Sequence, residues 1–237
     1  MQNEKIHLER IKRFLQRQKD TLYTKLEPLS VEYIHDPKPI PWQAVQDAKW
    51  QKIECDEIWS AVWGSAWFRV SGQLSKEHPA SMQGLWFDSE GEACVMDGGK
   101  PWMGLTPKVD WYHNASKHYV PLADIADSEG YFELFIEAAA NDLFGAGKEE
   151  YRLAVCSLSL FDEENYQFTL DLELLNDLAL ALPQGSVRRA KIIYGLNEIC
   201  NLWGSDASAA RKIAKELLAK PAHASALKAY SVGHAHL

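Results

Sequence analysis

The sequence has no uninterrupted apolar run approaching the ~20 residues that a membrane-spanning helix requires. Its first residues, MQNEKIHLERIKR, are charged and contain no apolar stretch typical of a secretory signal. Cysteine is also scarce: Cys55, Cys94, Cys156 and Cys200 lie far apart, so no CxxC pair for zinc or redox chemistry exists. These absences predict a cytoplasmic protein, away from membranes, with reduced cysteines in its core.

Basic residues are fewer than acidic residues. The 237 residues include 25 Lys and Arg against 33 Asp and Glu, a formal net charge of −8. This balance argues against a general nucleic-acid binder, which needs a basic surface to contact phosphates. Disorder is excluded by a hydrophobic content of 46% and an aromatic content of 11%. A chain of this length and composition can form one large domain or two small ones.

The charge is unevenly distributed. Residues 50–165 carry eight basic and 20 acidic side chains, a net charge of −12, whereas residues 1–25 carry +4 and residues 166–237 carry +2. Eight of the nine tryptophans also lie between residues 42 and 111. The acidic, tryptophan-rich middle therefore indicates a domain of different character from its flanks.

The first segment, residues 1–47, is predicted to be a helix followed by a proline-rich linker. Apolar residues at helical spacing predict an amphipathic helix over residues 3–25, with Asn3 as its N-cap and Pro28 beyond its end. Its basic face is interpreted as solvated. Residues 35–42, HDPKPIPW, contain three prolines and predict an extended linker.

The second segment, residues 48–165, is predicted to be an antiparallel jelly-roll β-sandwich. Short runs rich in aromatic and β-branched residues alternate with turn signals at residues 89–91 and 97–99 and have no intervening helical periods. The candidate strands are 66–73, 84–88, 92–97, 117–121, 131–139 and 151–161.

The third segment, residues 166–226, is predicted to be a helical connector, with Ser186 and Asp206 capping its second and third helices. The fourth, residues 227–237 (LKAYSVGHAHL), is predicted to be a strand. The predicted fold class is thus mixed α and β: a jelly roll flanked by an N-terminal helix and a C-terminal helical segment, ending in the first strand of an incomplete β/α barrel.

Two kinds of site are suggested by residue type. His234 and His236 form an HxH pair on the last predicted strand, where both imidazoles would share one face and meet a metal ion; two exposed histidines in a frayed tail are the alternative. The tryptophan-rich middle suggests a sugar-binding face, although tryptophans that build the sandwich core and its edges are the favoured interpretation. Acidic residues near the turns, interpreted mainly as solvated carboxylates, are Asp88, Glu90, Glu92 and Asp97.

The ending SVGHAHL resembles the start of the catalytic barrel of glycoside hydrolase family 38 α-mannosidases, whose pattern reads roughly GHxHxDxAWLW. The stretches WGSAWFRVSG (63–72) and LWFDSEGEACVMDGGKPWMGL (85–105) are similar to the N-terminal sandwich of the long cytoplasmic and bacterial members. The resemblance covers nearly the whole chain from residue 50. It implies the N-terminal portion of a retaining α-mannosidase, interrupted at the start of its barrel, with mannose-containing oligosaccharide as the substrate of the intact enzyme.

The resemblance also implies a site. The second His of the motif binds a catalytic zinc and corresponds to His236, whereas His234 is not expected to contact the metal. The other ligands, the nucleophile and the acid/base belong to the barrel, so no catalytic residue is expected in this chain. The intact enzyme is expected to bind neither nucleic acid nor membrane, and a homo-oligomer is left open. The alternatives are a free-standing carbohydrate-binding module and, more weakly, the start of a metal-dependent amidohydrolase barrel.

Overall fold

The computed structural model describes residues 3–107, 116–142, 147–220 and 233. Contacts divide the chain into two units. One is Leu22–Glu163, here called the sandwich unit. The other, here called the helical unit, comprises the described residues of Met1–Thr21 and Glu164–Leu237.

The sandwich unit is built from antiparallel strands in two main sheets. One sheet has the order β1-β12-β6-β9, the other β3-β2-β5-β10-β7-β8, and β11 and β4 form a small additional pair. The strands are β1 (Tyr23–Pro28), β2 (Ser30–Asp36), β3 (Gln51–Lys52), β4 (Ile58–Ala61), β5 (Ser65–Gln73), β6 (Gln83–Asp88), β7 (Glu92–Asp97), β8 (Lys100–Leu105), β9 (Tyr119–Pro121), β10 (Tyr131–Ala139), β11 (Glu150–Arg152) and β12 (Val155–Phe161). The short helix α2 (Trp42–Val45) and a 3₁₀ turn (Ala80–Met82) lie between strands.

Side-chain alternation packs the two sheets face to face. Along β10 every second residue is buried, from Phe132 to Ala138, as expected of a strand with one face in the core. Leu85 and Phe87 of β6 and Leu158 of β12 enter the same apolar cluster from the four-stranded sheet. The shared core confirms the expected antiparallel sandwich.

The predicted turns lie where the strand pattern placed them. Residues 89–91 join β6 to β7, and Gly98 and Gly99 join β7 to β8 with φ values of +54° and +82°. A Cβ on Gly99 would lie 2.3 Å from the Trp42 ring, so glycine is required there both for its backbone conformation and for space.

The helical unit packs α1 (Glu4–Asp20) with α3 (Glu163–Ala181), α4 (Val187–Leu202) and α5 (Ala207–Leu218). As predicted, Ser186 accepts a hydrogen bond from the backbone N of Arg189, and Asp206 accepts one from that of Ala209. The shared core is formed by Ile11, Phe14, Leu15, Phe168, Leu172, Leu175, Ala179, Ile192, Ile193, Leu196, Ile199, Ala210 and Ala214.

Arg189 joins three helices of this unit from a buried position. Its Nη1 donates to the carbonyl oxygens of Ala179 (2.6 Å), Leu180 (3.2 Å) and Leu182 (3.1 Å), which lie at the end of α3. Its Nη2 lies 2.8 Å from Oε1 of Glu4 on α1. The guanidinium thus satisfies carbonyls that the helix end leaves without partners and neutralises its own buried charge.

The N-terminal region differs from the prediction. α1 ends at Asp20 rather than near residue 25, and Asn3 has φ +69° and makes no capping bond with its side chain. The residues that follow form β1 and β2, which pair with β12 and β5. The predicted segment 1–47 is therefore divided between the two units. The predicted barrel strand, residues 227–237, lies outside the described residues apart from Gly233, and remains a prediction.

Candidate functional site

The predicted metal ligand His236 and its neighbour His234 lie outside the described residues. Within the described ranges, no group of three or more His, Cys, Asp or Glu side chains is arranged to hold a metal ion. This part of the chain therefore offers no zinc site, and His236 stays a prediction.

Two of the acidic residues near the turns, Asp88 and Glu90, are engaged in local structure. Asp88 accepts a hydrogen bond from the backbone N of Glu90 (2.7 Å). Glu90 in turn pairs with Lys148 (2.8 Å) and accepts a hydrogen bond from the backbone N of Arg152 (2.9 Å). These contacts hold together the loop ends of the sandwich, which supports the interpretation of turn carboxylates over a glycosidase pair.

The tryptophans divide into interior and surface groups. Trp59 and Trp67 are almost completely buried, and their indole N–H groups donate to the carbonyl oxygens of Ser89 (2.9 Å) and Ile40 (2.8 Å). The favoured interpretation, that tryptophans build the core and its edges, is confirmed for Trp59, which belongs to the core cluster. Trp67 is buried outside that cluster, against Trp42. Trp63 and Trp102 are different, since 67% and 45% of their surfaces are exposed.

Two aromatic layers lie on the outer faces of the sheets. On the six-stranded sheet, Trp42 packs against Trp67 and Phe135, and Trp50 lies under the guanidinium of Arg69. The layer on the four-stranded sheet comprises Tyr23, Trp86, His118, Tyr119 and Phe161. Burial raises the pKa of Tyr119, so its hydroxyl stays protonated. These rings pack against one another, whereas Trp63 makes no ring contact with the described residues.

Beside the covered part of the six-stranded sheet lies an open cleft of about 370 Å³. We call it the Trp63 cleft; its lining includes Pro39, Trp63, Ser65, Glu92, Cys94 and Glu137. Glu92 and Cys94 belong to β7 and Glu137 to β10, where Cys94 is paired directly with Glu137. The odd-numbered residues of β10 face away from the core, so Glu137 faces the cleft.

The backbone at the rim holds Trp63 in an uncommon conformation. Trp63 has φ +70°, a region that large side chains rarely adopt. Its N–H donates to the carbonyl of Ala140 (2.6 Å), and the N–H of Ala140 donates back to the carbonyl of Gly64 (2.9 Å). A Cβ on Gly64 would lie 1.9 Å from Oγ of Ser60, so this turn is also sterically tight. The turn therefore fixes the backbone from which the exposed indole projects.

The two carboxylates of the cleft have different surroundings. Oε2 of Glu92 accepts a hydrogen bond from Nδ2 of Asn141 (3.1 Å). Partial burial raises the pKa of Glu137 above its ordinary value of 4.5. Sequence reasoning named Trp63 only as one tryptophan among eight and missed Glu137. The alternation of apolar and other residues over 131–139 could have identified it, because this pattern places Glu137 on the face opposite the core residues.

A four-stranded and a six-stranded antiparallel sheet around one core define a β-sandwich protein of the jelly-roll kind. In the part of the chain that is described, no helix is both long and apolar enough to cross a membrane.

Comparison with known families gives a narrower assignment. The model for the Ams1-like jelly roll domain of alpha-mannosidase matches residues 26–173. The chain belongs to this α-mannosidase jelly-roll family.

Curated relatives agree with that assignment. The chain is 22% identical over 215 residues to alpha-mannosidase 2C1 of Mus musculus, covering 85% of this chain and 20% of that protein. It is 24% identical over 177 residues to alpha-mannosidase 2C1 of Homo sapiens, covering 70% and 16%. Alpha-mannosidase G of Dictyostelium discoideum is 22% identical, with 100% of this chain and 24% of that protein covered. The chain thus spans about a fifth of the length of these relatives, as an N-terminal jelly-roll portion would.

Proposed function

We propose that this chain is the N-terminal portion of a retaining α-mannosidase of glycoside hydrolase family 38 and is not itself catalytic. The observation that carries the proposal is the family match over residues 26–173, which places an α-mannosidase jelly roll where the strands lie. In the intact enzyme, hydrolysis of terminal α-mannosides takes place in a barrel that follows the helical connector.

The proposal assigns the sandwich a supporting role. Asp88 and Glu90 near its turns make structural contacts, and the described residues offer no metal site. Zinc would be bound by the barrel, where His236 supplies one ligand and the metal holds sugar hydroxyls. The substrate class is mannose-containing oligosaccharide, as the names of the relatives suggest.

We also propose a cytoplasmic location. All four cysteines are free thiols. Cys156 is buried as expected of a core thiol, whereas Cys55 is exposed, which corrects the expectation that all four lie in the core. An exposed free thiol without a disulfide partner suits a reducing compartment.

Expression of two products of the gene tests the proposal. The 237-residue chain should not hydrolyse an aryl α-mannoside in the presence of Zn²⁺, whereas a product extended through the downstream coding sequence should do so. In the extended product, His236→Ala should remove both activity and bound zinc, measured by metal analysis. His234→Ala is the matched control and should retain the metal. Hydrolysis by the 237-residue chain, or an extended product without activity, would overturn the proposal.

A free-standing carbohydrate-binding module is the second candidate, and the exposed indole of the Trp63 cleft favours it. The two functions differ in hydrolysis. A free-standing module binds sugar, and continuing the chain through the downstream coding sequence adds no α-mannosidase activity.

A further inference from the structure

We propose that the Trp63 cleft is a saccharide-binding subsite. In this subsite the indole of Trp63 stacks on one face of a neutral hexopyranose, and the carboxylates of Glu92 and Glu137 accept hydrogen bonds from its hydroxyl groups. No residue of the subsite takes part in the hydrolysis proposed above. The choice of mannosides as the first probes rests on the proposed function.

Trp63 occupies an exposed position at the cleft. An indole can bury about 150–250 Å² when it packs, yet two thirds of Trp63 remains in solvent. The residue also has a left-handed backbone, for which glycine or asparagine is the easier choice. Trp63 therefore contributes little to the core and occupies a position that disfavours it. Its flat apolar face is available for the C–H groups of a pyranose ring.

Two hydrogen-bond acceptors, Glu92 and Glu137, line the same cleft as that ring. Glu92 is paired with Ala139 and Cys94 with Glu137, so the two carboxylates are diagonal neighbours on one face of the sheet. Such positions are about 7–8 Å apart at the backbone, within reach of one sugar residue. The bond from Asn141 orients Glu92, leaving its other carboxylate oxygen for a hydroxyl donor.

The charge of the lining favours a neutral ligand. Among the described residues that line the cleft, two are carboxylates and none is Lys or Arg. Phosphorylated and carboxylated sugars would be repelled, and no third ligand for a metal ion joins the pair within the described ranges. A neutral polyol, which donates hydroxyl hydrogens to carboxylates, fits this lining best.

The size and shape of the cleft suit a small sugar. The volume of about 370 Å³ lies at the lower end of the ~300–1,000 Å³ typical of small-molecule sites. The cleft is open on one side, which suits a mono- or disaccharide held at the surface with dissociation constants in the millimolar range.

Calorimetric titration of the 237-residue chain tests the proposal. The probes are methyl α-mannoside and α-mannobiose, with maltose and mannose 6-phosphate as comparisons. We expect the neutral sugars to bind and mannose 6-phosphate to bind more weakly. Trp63→Ala should weaken binding by about tenfold or more, equivalent to about 1.4 kcal/mol. Trp63→Phe, which keeps an aromatic face, should recover part of it.

Trp102→Ala is the matched control, since Trp102 is also exposed but does not line the cleft, and it should bind as the unaltered chain does. Glu92→Gln and Glu137→Gln keep the shape and should each weaken binding severalfold. If Trp63→Ala fails to fold, Trp63→Asn replaces it, because asparagine tolerates the left-handed conformation.

Two results would overturn the subsite: no heat with any neutral sugar in the millimolar range, or equal binding by the Trp63 and Trp102 variants. Either result leaves the proposed α-mannosidase relationship standing, because that depends on the activity of the extended product. Conversely, if the extended product is inactive but sugar binding is intact, the proposed function is wrong and the subsite is still supported.

Discussion

The sandwich unit and the helical unit bury apolar surface in different ways. In the sandwich, two sheets face each other and enclose large side chains such as Trp59, Phe68 and Phe87. In the helical unit, α1 must join helices that follow more than 140 residues later in the chain. Its core consists mainly of aliphatic residues from four helices.

The two units also differ in exposed apolar surface. Of the large apolar side chains recorded as exposed in the described ranges, six belong to the helical unit and five to the longer sandwich. Those of the helical unit are Ile6, Leu174, Leu180, Val187, Tyr194 and Leu218. Because exposed apolar surface contributes no transfer free energy, we expect the sandwich to be the more stable unit. Among the described residues of the helical unit, Arg189 is the charged side chain that is buried.

The largest expected effect is in the sandwich core. Phe68 is fully buried, with ring centroids 5.3 Å from Phe87 and 5.6 Å from Trp59. Phe68→Ala should lower the free energy of unfolding of the sandwich by about 3–5 kcal/mol, from lost burial plus a cavity. Chemical denaturation followed by tryptophan fluorescence measures this. Trp102→Ala should cost within about 0.5 kcal/mol, and similar losses for both variants would contradict the assigned core.

The next effect concerns the helical unit. Arg189→Ala leaves three carbonyls and the Glu4 carboxylate without their donor, so it should destabilise this unit by about 2–3 kcal/mol. Hydrogen exchange should become faster in α3 and α4 while β5 and β10 stay protected.

Arg188→Ala is the neighbouring control, since its guanidinium donates at the surface to the carbonyl of Lys220. We expect little change from it. Equal loss of protection in both units after Arg189→Ala would show that the two unfold together, which would contradict the expected difference in their stability.

A smaller effect is expected on the outer face of the four-stranded sheet. A Cβ on Gly84 would lie 2.3 Å from the Tyr119 ring, so Gly84→Ala must displace that ring and should cost about 1–3 kcal/mol. Gly104 in β8 has no neighbour within 4 Å of such a Cβ. Gly104→Ala should therefore be neutral or slightly stabilising in thermal unfolding. If Gly104→Ala lowered the melting temperature more than Gly84→Ala, the position assigned to the Tyr119 ring would be wrong.

The smallest effect is a pH dependence at the Trp63 cleft. Burial raises the pKa of Glu137 in the folded chain above the ordinary value of 4.5, so the folded chain binds this proton more tightly than the unfolded chain. The stability that results is present below pH 4.5 and is lost as the pH rises through the folded pKa. Glu137→Gln should therefore melt at a slightly higher temperature than the unaltered chain at neutral pH, with a smaller difference in acid. A constant difference across this range would contradict the raised pKa.

Local sequence pattern was sufficient for the sandwich strands from β5 onward except β8, which was not predicted, and for the last three helices. The predicted strands 92–97 and 131–139 coincide with β7 and β10, because alternation and turn residues are local signals. The caps Ser186 and Asp206 were found for the same reason. The predicted strand 151–161 is divided into β11 and β12, which pair with different strands.

The N-terminal strands were missed because distant residues determine them. Leu22 continues the apolar spacing of α1, so the sequence suggests a longer helix. In the structure the Thr21 hydroxyl donates a hydrogen bond to the carbonyl oxygen of Gln18 at the helix end, and Tyr23 stacks on Phe161. A local sequence pattern carries no information about a pairing strand more than 130 residues away. The Trp63 cleft was only partly foreseeable: tryptophan content suggested a sugar-binding face, but the register that brings Glu92 and Glu137 together exists only in the folded sheet.

The most direct test of the central claim, that this chain is the jelly-roll portion of an α-mannosidase, is the coding sequence immediately after codon 237. The account predicts an Asp codon directly after Leu237, followed within a few codons by Ala and Trp, in one of the reading frames. Downstream sequence unrelated to this pattern in every frame would contradict it.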